Sequence, residues 1–241
     1  MKKIAIYSLL FATSIFAQNT GTASIGIGIG VQNDIYKGVN SKVWPLPVID
    51  YKNDYMYING AEIGGFLYQN DFFSISLGGR ARIEGYYDAK GYMRGMKDRQ
   101  ITLEGGLQAN LKTTIGDFKV NGYHDVLDKH GGYSAEIEYN YIFNFNQFGI
   151  SPFVSIEYLS DGFVEYYYGV KKSEATVSRP YYSGGSTVNF GTGINAYYMI
   201  NESWSIIGGA KFVFLGDEIS DSPIVKKDYR IRTGVGINYR F

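Results

Sequence analysis

Cysteine is missing altogether, which excludes a disulfide scaffold and any thiolate metal centre. Net charge is missing too, with 23 basic residues against 23 acidic ones. The basic stripe that nucleic acid demands is therefore absent, and no nucleic-acid partner is expected. Only two histidines, two tryptophans and five prolines occur. Past the first 17 residues no apolar run is long enough for a transmembrane helix, which needs about 20 residues.

The chain is instead rich in glycine, with 31 residues, and in aromatics, which make up 17% and include 23 tyrosines. Its mean hydropathy is nonetheless slightly negative, at −0.16. Alternating strands give that combination, because every second residue is polar. The clearest case closes the chain. Ile231, Thr233, Val235, Ile237, Tyr239 and Phe241 share one face, and Arg232, Gly234, Gly236, Asn238 and Arg240 share the other. A terminal strand that ends on an aromatic of its apolar face is what a bacterial outer-membrane barrel carries, and Tyr239 and Phe241 are assigned as its C-terminal assembly signal. The barrel-assembly machinery and outer-membrane lipid are the partners this implies.

The same period-2 pattern recurs along the chain. Examples are Ile25, Ile27 and Ile29 against Gly26 and Gly28, and Ile75, Leu77 and Ile83 against Ser76, Arg80, Arg82 and Glu84. At the N-terminus, Lys2 and Lys3 precede an apolar core over residues 4–15 and a small Ala17. This reads as a cleaved signal peptide over residues 1–17, with export to the outer membrane of a Gram-negative-type bacterium. Residues 18–241 form one barrel domain.

Short and long connections alternate, as they do between periplasmic turns and external loops. Keeping both chain ends in the periplasm requires an even strand number. The segment 55–68 is therefore divided at Gly60-Ala61, which gives about twelve strands, with ten as the alternative. The fold expected is all-β: a transmembrane antiparallel up-and-down β-barrel. A soluble sandwich or lipocalin-like barrel shares the alternation but turns its apolar face inward. Pro45 and Pro47 cannot donate ladder hydrogen bonds, so the strand after the first long loop is expected to start near Pro47 or to carry a bulge.

Several segments carry a resemblance in order along the chain. They are Asp34-Ile35-Tyr36-Lys37-Gly38 with the proline-bearing stretch after Trp44, and Arg94-Gly95-Met96-Lys97-Asp98-Arg99 followed by Leu103-Glu104-Gly105-Gly106-Leu107. Next come Asp125, Asp128, His130 and Gly131, then Tyr166-Tyr167-Tyr168-Gly169-Val170 with Glu174-Ala175. Gly216-Asp217, Asp221-Ser222-Pro223-Ile224-Val225 and Tyr239-Arg240-Phe241 complete the set. Together these resemble the MipA/OmpV family, the MltA-interacting protein family. The resemblance implies a scaffold for murein (peptidoglycan) remodelling enzymes, with a murein lytic transglycosylase and a murein synthase as partners. Other members are described as surface barrels involved in adhesion, osmotic response or antibiotic susceptibility. The family transfers no catalytic residue and no cofactor.

The residues themselves offer further readings. Lumen-facing charges are expected at Arg80, Arg82, Glu84, Glu104, Glu136, Glu138, Glu157, Lys211, Arg232 and Arg240, either pairing across the barrel or lining a small-solute channel. His124 and His130 flank Asp125 and Asp128, but their spacing matches no closed metal site. Ser134 beside His130 would be the nucleophile of a lipid hydrolase, yet it falls on the lumen face. Asp217, Glu218 and Asp221 read as solvated loop charge rather than a calcium site. Tyr166-Tyr167-Tyr168 reads as an interfacial girdle or a packed loop, with an adhesive surface loop as the sharper alternative. Tyr139, Tyr198 and Trp204 are expected to anchor the membrane interfaces.

Overall fold

The computed structural model describes residues 21–241 except 40, 88 and 89, together with all side chains in that range but Lys42. The signal peptide expected over residues 1–17 lies outside the described residues.

Thirteen strand segments follow the alternation. They are β1 (Thr22–Gln32), β2 (Lys42–Lys52), β3 (Met56–Asn59), β4 (Glu62–Gln69), β5 (Phe73–Arg82), β6 (Thr102–Thr113) and β7 (Gly116–Asp125). They continue with β8 (Tyr133–Asn140), β9 (Phe143–Phe145), β10 (Phe148–Leu159), β11 (Thr187–Met199), β12 (Trp204–Phe214) and β13 (Tyr229–Arg240). Apart from β8 and β9, consecutive segments pair antiparallel. β8 and β9 both pair with β10 and are one strand interrupted at Tyr141-Ile142. β13 pairs with β1, so the sheet closes on itself as a twelve-stranded barrel. The ten-strand alternative is thereby excluded.

Cross-strand register places the apolar set outside. Ile27 pairs with Ile237 and Ile29 with Val235, and Ile27 is 65% exposed. The opposite face carries serine, glycine, asparagine and charge. A soluble barrel would reverse this arrangement, and no other element covers these exposed apolar faces among the described residues.

The wealth of glycine and aromatics has a local cause. Inside the barrel, Trp44 stands directly across from Gly30, and Tyr57 across from Gly64. A β-carbon at Gly30 would come within 2.9 Å of the Trp44 ring, and one at Gly64 within 2.6 Å of the Tyr57 ring. The bare glycine lets each ring lie flat on the neighbouring strand, which fills a narrow interior.

One barrel end carries short turns with a repeated design. The Asn53 carboxamide oxygen accepts from the N–H groups of Tyr55 and Met56, Asn70 from Phe72 and Phe73, and Asn201 from Ser203 and Trp204. An asparagine that caps its own turn fixes the hairpin without a longer loop. Tyr139, Tyr198, Trp204, Tyr239 and Phe241 surround this end, with the Trp204 and Tyr239 rings 5.0 Å apart. Short turns mark the periplasmic side.

The hairpin of β3 and β4 departs from the pattern. It turns back at Gly60-Ala61, after only four residues of β3. β2 pairs with β3 only over Asp50–Lys52 but continues to Lys42 along β1. This corrects the expected strand start, because β2 runs straight through Pro45 and Pro47, opposite Ile29 and Ile27. The Gly60 N–H donates to the Ile49 carbonyl, so the odd-numbered residues of β2 direct their backbone groups towards β3. Above Ile49 that side has no partner strand among the described residues. The two prolines remove N–H donors just where they would point into the gap, as edge-strand prolines do.

Candidate functional site: a capped and charged lumen

At the loop end, residues 33–39, 83–87, 90–101, 160–186 and 215–228 fold together. Ile35, Tyr36, Tyr86, Met93, Phe163, Val164, Tyr167, Tyr168, Ile219 and Ile224 form one buried apolar cluster. Helix α1 (Asp161–Tyr168) supplies four of these residues from one face. Tyr166-Tyr167-Tyr168 is therefore part of a packed cap and not an interfacial girdle. The Tyr167 hydroxyl donates to the Gln100 carbonyl, and the Tyr166 hydroxyl accepts the Gln100 N–H.

A buried ion pair fastens the cap. Both Arg99 terminal nitrogens reach the Glu174 carboxylate, at 3.2 and 2.8 Å, and both side chains are 2% exposed. The Lys97 and Lys171 N–H groups donate to the same carboxylate. Burial alone would raise the Glu174 pKa, but the Arg99 hydrogen bonds and the two N–H groups outweigh it and hold the carboxyl below its usual range. Arg179, equally buried, ties down the carbonyls of Tyr92, Arg94 and Glu174. Burial pushes the Tyr86 and Tyr168 hydroxyls up to about 12, so both stay protonated donors.

Beneath the cap lies a layer of charge. Glu104 binds Arg80 at 2.7 Å and Arg82 at 3.1 Å, and Arg82 also reaches Glu157 at 3.0 Å. Glu84 is shared by Arg230 at 2.6 Å and Arg232 at 3.1 Å. Arg82 lies 5.0 Å from the Phe163 ring and Arg230 donates to the Tyr168 hydroxyl, so α1 sits directly on this layer. Farther down, Lys211 pairs with Glu136 at 2.9 Å. Glu138 is in register with Lys119, and Arg240 lines a turn-end cavity beside Asp50.

Three residues of this network were missed in the sequence. Arg230 follows from extending the β13 alternation two residues back from Arg232. Glu62 opens β4 on the lumen face and accepts from Tyr57, Gln108 and Tyr123, with Lys119 at 3.4 Å. Lys119 lies on the same face of β7.

The other sequence candidates do not converge. His130 is buried, with Nδ1 accepting from the Gly132 N–H and Nε2 3.5 Å from Glu104. His124 stands on the outer face of β7, in register with Gly105 and Tyr133. The Asp125 carboxylate caps its own loop, accepting from Thr102 and from the N–H groups of Leu127, His130 and Gly131. Ser134 accepts hydrogen bonds from both Arg80 and Arg82, each at 3.0 Å. Glu218 holds the Gly185 N–H. Among the described residues no group of three or more His, Cys, Asp or Glu is placed to hold a metal ion.

A closed antiparallel barrel with lipid-facing apolar strands, short turns at one end and folded loops at the other is an outer-membrane β-barrel protein. The chain belongs to the family described as MltA-interacting protein MipA, whose model matches residues 25–241. It is 29% identical to the MltA-interacting protein of Escherichia coli (strain K12), over all of this chain and 99% of that one. It is 33% identical to outer membrane protein OmpV of Vibrio cholerae, over 64% of this chain and 60% of the relative. The putative outer membrane protein YiaT of Escherichia coli (strain K12) is 26% identical, over 99% and 97%. A solved NanC porin structure aligns with 90% of this chain and 100% of its own, at 8% identity and a TM-score of 0.47.

Proposed function

We propose that this protein is a non-enzymatic outer-membrane scaffold that holds a murein lytic transglycosylase, and through it a murein synthase, at the inner surface of the outer membrane. The observation that carries this reading is the end-to-end likeness to a protein named for its interaction with MltA. Two features of the geometry support it. The loops are spent on covering the lumen, which favours a scaffold over a channel for small solutes. The turn end also presents exposed apolar tips at Tyr55, Phe72, Ile115 and Ile200. A partner with its own membrane anchor would dock on that rim, because the turns are too short to reach farther. Tyr239 on the outer face of β13 and Phe241 just past its end would serve the assembly machinery rather than the partner.

Photo-cross-linking residues placed at Tyr55, Phe72 and Ile115, in cells, test the docking rim. Specific capture of a lytic transglycosylase is expected. Capture of assembly factors and lipopolysaccharide alone would sink the scaffold reading. A companion measurement addresses the lumen. Purified protein in a planar bilayer should be silent, and steady single-channel currents would favour the small-solute channel instead.

A further inference from the structure

The short β3–β4 hairpin leaves a notch in the barrel wall. Above Ile49, β2 has no neighbour on that side among the described residues, and the β3–β4 hairpin stays with β5 as far as Ala81, so the notch lies between β2 and the chain from Arg82 onward. A cavity of ≈ 620 Å³ occupies it. Its lining includes Val43, Ile83 and Tyr87 from the outer surface, and Arg80, Arg82 and Arg232 from the lumen. Ile83 and Tyr87 lie just past the end of β5, so the cavity reaches the outer surface over that end and the lumen through the three arginines. Trp44, Leu46 and Arg232 also line a second cavity of ≈ 600 Å³. That space runs inward over glycines and the side chains of Val48 and Ile207.

We propose that this notch is a lateral binding site for an anionic amphiphile taken from the outer leaflet, with its head on Arg232 and Arg230 and its acyl chain over Trp44 and Leu46. The outer rim is apolar: Val43 is 68% exposed and Ile83 57%. The interior is cationic. Four guanidiniums, of Arg80, Arg82, Arg230 and Arg232, face the carboxylates of Asp34 and Glu84 on this lining. Arg80 and Arg82 are engaged from behind by Glu104 and Glu157. Asp34 accepts the Tyr36 N–H. Arg230 and Arg232 share the Glu84 carboxylate; Arg230 also donates to the Tyr168 hydroxyl and Arg232 Nε to the Gln32 side-chain oxygen. Arg232 has a side chain 40% exposed, and Arg230 Nε is buried with no hydrogen-bond partner among the described residues. A guanidinium N–H without a partner, beside a second and part-exposed guanidinium at an opening into hydrocarbon, favours a further anionic group. The two edge prolines fit the same function. They leave the notch rim without the N–H donors that would otherwise recruit another strand.

The only tryptophans are Trp44 and Trp204, and Trp204 lies at the turn end. A full-length Trp204→Phe variant thus carries one reporter, inside the notch. In detergent solution a dibrominated stearate should quench Trp44 saturably, and unbrominated stearate should restore the signal. Arg232→Gln should weaken binding by about tenfold or more, the scale of one lost charge-assisted hydrogen bond. The neutral methyl ester should quench only weakly and without saturation. Equal, saturable quenching by the ester would overturn the anionic head. Full displacement by inorganic phosphate or acetate would reduce the site to a pocket for free anions and overturn the amphiphile. Leu46→Phe leaves the arginines in place and guards against misfolding of Arg232→Gln. It should shift preference from stearate towards decanoate, and an unchanged chain-length preference would overturn the placement of the acyl chain.

Discussion

Replacing Glu104 with alanine is expected to destabilise the barrel by about 3–5 kcal/mol, the cost of leaving buried cations without their partner. Glu104 is fully buried, and Arg80, Arg82 and His130 all converge on its carboxylate. Without it, the Arg80 guanidinium keeps one hydrogen bond among the described residues, to the Ser134 hydroxyl, and the face of Tyr123, whose ring lies 4.1 Å away. The matched control is Glu136→Ala, which breaks the more exposed Lys211 pair. There the two side chains are 27% and 14% exposed, and water can solvate the stranded ammonium, so a loss of about 1 kcal/mol or less is expected. Denaturant midpoints of the purified proteins in micelles measure both. Equal losses for the two variants would show that the layer beneath the cap is no more than a solvated surface. Replacing Glu104, Arg80 and Arg82 together with apolar residues of similar size should recover much of the stability, because the cost arises from stranded charge rather than from lost attraction.

The barrel and the inward set of charges were legible because both rest on a local rule. A strand shows one face to lipid and one to the lumen, and residues two apart share a face. Arg80 and Arg82 could be assigned to one face of β5 without knowing any neighbour. Their partners could not, because Glu104 and Glu157 arrive from β6 and β10, and partnership depends on register between strands distant in sequence. The division at Gly60-Ala61 was legible from an even strand count. Its consequence for β2 was not. Whether Pro45 and Pro47 interrupt a strand depends on which edge their missing donors face and on how far the neighbouring hairpin reaches. Both facts belong to β3 and not to the proline stretch itself. The cap lies at the other extreme. Residues 160–186 have no period-2 signal, so Tyr166-Tyr167-Tyr168 read as an aromatic patch. Arg99 meets Glu174 across 75 positions, and nothing in either segment marks the other as its partner. A buried pair in loops leaves no periodic trace.

Acid should loosen that cap before it unfolds the barrel. The folded pKa of Glu174 lies below its unfolded value, which is about 4.3. A carboxylate with a depressed folded pKa contributes stability that is fully present above the unfolded value and is lost as pH falls through the folded one. The cap is therefore expected to be tight at neutral pH and to open progressively below about pH 4. The Lys97 and Lys171 amides, which donate to Glu174, are direct reporters. Their hydrogen-exchange protection, corrected for intrinsic rates, should fall with acidification in the wild-type protein while the amides of β11 and β12 stay protected. Glu174→Gln should remove the pH dependence and start from low protection. Arg99→Ala, which strands a buried carboxylate, should cut protection at neutral pH by about a hundredfold or more, corresponding to roughly 3 kcal/mol of local opening. Strand amides that lose protection together with the two reporters would mean that cap and barrel open as one unit. In that case α1 and its loops would be part of the barrel's own stability and not a separable lid. Separate opening would mean that the cap is a lid of its own, whose closure over the charged layer depends on the Arg99–Glu174 pair and not on the twelve strands beneath it.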